Sequence, residues 1–421
     1  MNHSEQAHTH AWKKYYQYIK SSIRTNPVLS FISVYLPALI HLLPPLERLY
    51  RYCYQLLVKP EQVDVLFALS STDKISRFNG IYNAIKDAGM RVAIVDRKDR
   101  YRDALKYVFW PCDRETPKEL LLIDKYAHWL ADKYQPRIVL IVENAGLFPC
   151  VMRKHINAKG GLLINQAHGV GFMGVSHSCI DADYTFVFGQ STIDGLKNNH
   201  ARIGATTAVI TGSPFINADV KSESKKISLS EQTGPVIIAA QYIPAWENLE
   251  TAVLASRDII STFIRRNPQR DFVIKPHPLG NIDIWDEIIT NNAHVTLTDE
   301  RNINQVLTGS SLLLHMSSNA SIEAGVIGVP SIAVDPFDCS RHLFHDRYLY
   351  KVADINELER DVQQVFNDYT AHQQRAHQHA DYLVGYRYGT NARTASYLKT
   401  LLSNDFLEGE KINESSYFHN N

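Results

Sequence analysis

Between residues 61 and 216, short apolar runs alternate with longer amphipathic stretches, the pattern of strands and helices wound around a parallel sheet. The runs predict strands at 63–69, 91–96, 137–142, 161–165, 184–188 and 208–210, with helices at 75–88, 119–133 and 193–200. Apolar periodicity then fails, and residues 219–234, DVKSESKKISLSEQTG, read as a polar linker. A second series follows, with strands predicted at 235–240, 271–274, 294–297, 311–315 and 330–334 and helices at 248–266, 303–307, 320–327 and 355–369. The predicted fold class is therefore α/β, with two Rossmann-like domains, 61–218 and 235–385, and a ligand cleft expected at the carboxyl ends of their sheets. Residues 406–421 read as a polar tail.

The first 60 residues stand apart. Seven Lys or Arg side chains face only Glu5 and Glu47 there, a net charge of +5 that the other 361 residues offset with −5, since the whole chain has 44 basic and 44 acidic residues. The run VLSFISVYLPALIHLLPP at 28–45 is apolar, but Pro37, Pro44, Pro45 and His41 interrupt it, and it is shorter than the roughly 20 residues needed to span a bilayer. Two readings remain open for this helical extension: attachment to an anionic membrane surface, or packing against the domain that follows. A peripheral position on the inner face of the plasma membrane is one expectation and a cytoplasmic location the other.

Zero net charge excludes a general nucleic-acid binder, which needs a polycationic surface. The five cysteines, Cys53, Cys112, Cys150, Cys179 and Cys339, form no CxxC pair, so neither a zinc site nor a disulfide framework is expected. After the first strand the chain reads ALSSTD, without GxGxxG or GxxxxGK[ST], which disfavours nicotinamide dehydrogenases and P-loop kinases.

Two segments of the second half carry the chemistry. In FVIKPHP, residues 272–278, a buried strand ends in Lys275, and Pro276 and Pro278 fix the backbone on either side of His277. That places an ammonium and an imidazole at the carboxyl edge of the sheet, where they can hold a phosphate; a rigid turn with a solvated lysine is the plain alternative. In LLLHMSSNASIEAGVIGVPSIAVD, residues 312–335, a strand stops at Ser317, Ser318 and Asn319 and runs into a helix. Hydroxyls and the positive helix end converge there on a phosphate-sized position; simple N-capping by Ser318 or Asn319 is compatible with that use. Glu323, on the first turns of the helix, either reaches a ribose or sugar hydroxyl or serves as a dipole partner.

KPHP, a strand ending in Ser-Ser about forty residues later, and then EAGxxGVPSI together resemble the C-terminal half of GT-B fold glycosyltransferases. The match is closest to bacterial surface-polysaccharide enzymes: the CDP-glycerol glycerophosphotransferase and the capsule Kdo- and sialyltransferase families. LLINQAHG at 162–169 and TGSPFIN at 211–217 resemble segments of their N-terminal halves, although Phe215 and Asn217 stand where those families often have Arg and Asp. Residues 386–405 resemble the terminal helix that crosses back to the first domain. The resemblance spans roughly residues 61–402. It implies that His277 with Pro278, and Ser317 with Ser318, contact the phosphate and cytidine of a CMP- or CDP-activated donor, and that the acceptor is a glycan or lipid-linked glycan.

Such a transfer needs a group to stabilise the departing phosphate and a base for the acceptor hydroxyl. Lys275, His277, Ser317 and Ser318 supply the first without a metal or cofactor. Asp181-Ala-Asp183 precedes a strand instead of ending one, so these aspartates read as loop residues and not as a metal motif. His168 and Glu143, each at the end of a predicted strand, are the two candidates for the base, His168 being preferred because imidazole titrates near neutral pH. Arg341, His342, His345 and Arg347 form either an anion-binding cluster or an exposed basic loop. His372, His377 and His379 sit in a polar, Gln-rich stretch and read as solvated. The alternatives to a transferase with a CMP- or CDP-activated donor are a UDP-sugar transferase or a UDP-N-acetylglucosamine 2-epimerase-like enzyme, and a non-catalytic glycan- or nucleotide-binding scaffold.

Overall fold

The computed structural model describes residues 60–69, 75–96, 116–117, 120–142, 147–170, 180–200, 202–216, 233–240, 247–277, 283–340 and 345–415. Expectations for the N-terminal extension, and for Glu143, Asn217, Pro278, Arg341 and His342, fall outside these residues. The described chain forms two compact units: one runs to Phe215 and includes the chain from Gly389 onward, and the other holds Ile216–Tyr388 together with Gly189–Ser191.

The first unit is built in the order β1 (Val65–Leu69), α1 (Ile75–Asp87), β2 (Val92–Asp96), α2 (Leu121–Tyr134), β3 (Ile138–Ile141), α3 (Leu147–Asn157), β4 (Leu162–Gln166), β5 (Tyr184–Val187), α4 (Gln190–Asn198) and β6 (Thr206–Ile210). These six strands are parallel, in the spatial order β6-β5-β4-β3-β1-β2, with the chain reversing direction of travel between β1 and β3. β1 and β3 are buried at every position, as strands covered on both faces must be. One layer packs β1 and β3 against Tyr126, Trp129 and Leu130 of α2 and Met152 of α3. The other packs Phe67, Ile138 and Phe186 against Phe78 and Ile81 of α1.

The second unit follows in the order β7 (Val236–Ala240), α5 (Glu247–Arg266), β8 (Phe272–Pro276), α6 (Asp286–Asn291), β9 (Val295–Leu297), α7 (Ile303–Leu307), β10 (Leu312–His315), α8 (Ala320–Ile327), β11 (Ser331–Val334), α9 (His345–Tyr348), β12 (Tyr350–Val352), α10 (Ile355–Asn367) and α11 (Tyr369–Val384). Its strands are also all parallel, in the order β12-β11-β10-β7-β8-β9. This is the doubly wound dinucleotide-binding order, and its switch point lies between β7 and β10.

The chain then returns to the first unit. α12 (Thr390–Leu402) packs on α1, where Asn391 lies so close that a Cβ on Gly80 would clash with its side-chain amide. Arg393 Nη1 donates to the Thr211 carbonyl at 3.0 Å. The stretch expected as a polar tail contains β13 (Glu410–Ile412), which pairs antiparallel with β6 and covers that edge.

Asp181 and Asp183 lie in the loop before β5, as read from the sequence, and both bind the buried Arg153 guanidinium, Asp183 at 2.8 Å; Asp183 also accepts from the Leu163 amide at 2.7 Å. The helix expected at 355–369 is α10, which ends at Asn367, and a further helix follows it: the Asp368 carboxylate accepts from the Ala371 amide to start α11. His372 and His379 on α11 are buried, not solvated, because α11 packs against α8 and α9. His372 bonds the Tyr350 hydroxyl at 3.1 Å and the Asp368 carbonyl at 2.8 Å. Among the described residues no helix is long and apolar enough to cross a membrane.

Candidate nucleotide site

β7 ends in Ala239 and Ala240, whose small side chains leave space at the switch point of the second sheet. Around that space lies a pocket of about 240 Å³. Lys275, Pro276 and His277 border it from the end of β8, Ser318, Asn319, Ala320 and Glu323 from the start of α8, and Arg301 and Ile303 from the start of α7. Every one of these residues belongs to the second unit.

The register explains the convergence. β7 pairs with β8 on one side, Ala239 opposite Lys275, and with β10 on the other, Ala239 opposite His315. The chain leaving β8 is held to β7 by the His277 amide, which donates to the Ala240 carbonyl at 3.0 Å. Lys275 is half-buried, its Nζ on the Pro276 carbonyl at 3.1 Å, while the His277 side chain is exposed.

On the α8 side, Ser318 does the capping: its Oγ accepts from the Ala320 amide at 3.2 Å. Asn319 occupies the N-cap position without a side-chain bond to the helix and lies exposed on the pocket rim. Ser317 does not line the pocket; its hydroxyl donates to the Cys339 carbonyl at 3.4 Å. That carbonyl belongs to a tight loop after β11, in which the buried Asp335 carboxylate accepts from the amides of Cys339 and Ser340 and from the Ser340 hydroxyl. The two serines of the motif therefore face different tasks.

Glu323 Oε2 is shut off from solvent and has no hydrogen-bond partner among the described residues, although the residue as a whole keeps a partly open surface. Desolvation pushes its carboxyl up from 4.5 to about 7, against a smaller opposing pull from its own backbone N–H. Behind it, α8 is pressed onto α11: a Cβ on Gly325 would meet the Ala376 carbonyl at 2.5 Å. His377 Nδ1 bonds the Gly325 carbonyl at 2.8 Å, and burial pushes the His377 imidazole below its ordinary value.

Five of the residues singled out from sequence thus line one pocket: Lys275, His277, Ser318, Asn319 and Glu323. Sequence reading missed Arg301, which sits on an exposed loop between β9 and α7. The signal there was faint: an arginine before Asn302, whose side chain caps α7 by accepting from the Asn304 amide at 3.0 Å.

In the first unit His168 follows β4 and is exposed. Its segment is tied down by the Ala167 amide on the Phe186 carbonyl at 2.8 Å and by Thr192 Oγ on the Val170 carbonyl at 3.4 Å. Phe215, the residue that departs from the resembled pattern, packs edge-on against Phe78 and Phe188, with ring centroids 5.1 and 5.9 Å away. Arg347 is exposed.

No family model matches the chain, and no curated protein matches its sequence. Solved structures do. The S. aureus MnaA–UDP co-structure is 12% identical, over 83% of this chain and 99% of that one, with a TM-score of 0.51. A UDP-N-acetylglucosamine 2-epimerase is 12% identical over 83% and 98%, with a TM-score of 0.50. The glycosyltransferase SnogD from Streptomyces nogalater is 10% identical over 80% and 99%, with a TM-score of 0.47. At these identities the likeness concerns the fold: two Rossmann-like halves of the GT-B type.

Proposed function

We propose that the chain is a nucleotide-sugar enzyme whose second unit holds the pyrophosphate or phosphodiester of a pyrimidine-nucleotide donor, and whose first unit presents the base for an acceptor hydroxyl. The observation that carries this reading is the pocket at the β7/β10 switch point, with Lys275, His277 and Arg301 bordering it and the start of α8 beside them.

In the transfer, His168 takes the proton of the acceptor hydroxyl, and the oxygen attacks the donor carbon. The bond from that carbon to the phosphate oxygen breaks, and its electron pair stays on the phosphate. Lys275, Arg301 and the positive end of α8 offset the charge that develops there. The order of the HP and SS motifs favours a CMP- or CDP-linked donor and a surface glycan or lipid-linked glycan acceptor, with residues 1–60 against an anionic membrane.

A second reading, epimerisation of a UDP-sugar, is favoured by the fold likeness to MnaA bound to UDP and to a UDP-N-acetylglucosamine 2-epimerase. Calorimetric titration with CMP, CDP, UDP and GDP tests the nucleotide assignment: binding of a pyrimidine nucleotide is expected, and failure of all four rejects it. Incubation with UDP-N-acetylglucosamine alone then separates the readings. Inversion at C2 without an acceptor identifies the epimerase, and no change supports the transferase.

A further inference from the structure

A second cavity, of about 220 Å³, lies within the first unit at the amino edge of its sheet. Arg137 borders it ahead of β3, Leu162 and Tyr184 from the first positions of β4 and β5, and Leu402, Asp405 and Phe406 from the end of α12 and the turn after it. Leu162 opens β4 there, whereas His168 follows the other end of that strand. The turn is fixed: Arg137 Nη2 donates to the Leu402 carbonyl and to Asn404 Oδ1, the latter at 3.4 Å. Phe406, carried on it, is 89% exposed. An aromatic ring held out on a fixed turn, beside a cavity lined by Leu162, Tyr184 and Leu402, leaves apolar surface for a partner to cover.

The chain supplies a matching segment. It enters the described structure at Pro60, on this same edge. The Glu61 amide donates to the Lys133 carbonyl at 2.7 Å, the Val63 amide to the Tyr134 carbonyl at 3.1 Å, and Gln62 Nε2 to Gln135 Oε1 at 3.5 Å, two residues ahead of Arg137. Just before this entry, residues 46–58 read LERLYRYCYQLLV between Pro45 and Lys59-Pro60. Leu46, Leu49, Cys53, Leu56 and Leu57 recur at helical spacing, with Glu47, Arg48, Arg51 and Gln55 on the opposite face. As a helix the segment measures roughly 20 Å, and from β1 to β5 the edge spans three strand spacings, roughly 14 Å. Charge favours the same meeting. Residues 46–59 carry a net +2, while 405–414 carry a net −3, with Asp405 and Glu408 exposed on either side of Phe406 and Leu407.

We infer that residues 46–58 dock as an amphipathic helix along the amino edge of the first sheet, their apolar stripe over Phe406 and the cavity, drawn there by the acidic 405–414 stretch. This leaves residues 1–45 for the membrane contact proposed above. It also keeps the docked segment at the edge opposite the one that carries His168.

The test uses the full chain in the absence of membranes. By hydrogen exchange, amides 46–58 should be slowed at least about tenfold relative to a free peptide of the same sequence. Phe406→Asp, at an exposed position, should remove that protection while the amides of β3 and β4 keep theirs. In a Phe406→Cys variant, a short bismaleimide should join Cys53 to the new thiol within one chain, read by peptide mass spectrometry. A link found only between two chains assigns the face to a second copy, and protection that appears only with anionic vesicles assigns the segment to the membrane; either overturns the inference. The absence of any such link, exchange at the free-peptide rate, or protection that survives Phe406→Asp overturns it as well. None of these outcomes bears on the nucleotide reading, whose pocket belongs to the second unit.

Discussion

The backbone N–H of Ser318 donates to Nδ1 of the fully buried His315 at 3.1 Å, across the turn that joins β10 to α8. Nδ1 is thus an acceptor, and the ring carries its proton on Nε2. The bond sets the direction in which the chain leaves the sheet, and with it the position of Ser318 and Asn319 on the pocket. An imidazole two residues before the serine motif thereby acts as a template for it.

Replacing His315 by Phe keeps the ring and leaves the Ser318 amide without its acceptor. The second unit is expected to lose about 1–3 kcal/mol, and nucleotide affinity should fall with it. Urea unfolding followed alongside calorimetry checks both. A variant of parental stability and affinity would remove His315 from this role.

The separate tasks of the pocket side chains lead to a graded series. Lys275→Ala and Arg301→Ala each remove a charge-assisted contact and should weaken nucleotide binding by about 5- to 150-fold. Ser317→Ala, whose hydroxyl is turned to the Cys339 carbonyl, is expected to stay within about threefold of the parent, the worth of less than one ordinary hydrogen bond. Equal losses in all three variants would contradict the placement of Ser317.

His168 belongs to the first unit, and the residues that line the nucleotide pocket belong to the second. His168→Ala should leave nucleotide affinity nearly intact and lower turnover by roughly 100-fold or more. Glu143→Gln is the comparison: if it abolishes turnover while His168→Ala stays active, the carboxylate is the base.

Arg153 holds Asp181 and Asp183 together beneath β4 and β5, all three within the first unit. Burial disfavours the guanidinium charge, yet the two carboxylates raise its affinity for the proton overall. Arg153→Met strands two carboxylates in a poorly hydrated site, and a loss of about 3–5 kcal/mol in the first unit's unfolding free energy is expected. Nucleotide binding by whatever second unit stays folded should be retained.

Glu323 also predicts how stability depends on pH. Its carboxyl titrates near 4.5 in the ordinary case and at about 7 in the folded chain, so between those values the folded state holds the proton that the unfolded chain has released. Stability contributed by the neutral acid is therefore lost as pH rises through that window, up to about 3 kcal/mol in all. Glu323→Gln should remove this slope, gaining on the parent in thermal unfolding as pH increases from 5 to 8. A parallel pair of curves would show that the carboxyl is not desolvated.

Apolar periodicity by itself determined the two βα series and their strands, because a strand covered on both faces must be apolar throughout and a helix on a sheet must carry one apolar stripe. Thus β1, β3, β7 and β10 were legible to within about two residues, and local turn chemistry marked Lys275, His277, Ser318 and Asn319 at strand ends. What no local pattern contains is strand order. The adjacency of β7 to both β8 and β10 brings residues 275–277 and 318–323 onto one pocket, and it arises from long-range pairing. Arg301 became a pocket residue only because the start of α7 lies beside that of α8, and Ser317 left the pocket because the Asp335 loop offered its hydroxyl a carbonyl. His372 and His377 of α11 read as solvated for the same reason: a polar helix face looks wet in sequence, and only Tyr350 of β12 and the Gly325 carbonyl of α8 supply their partners.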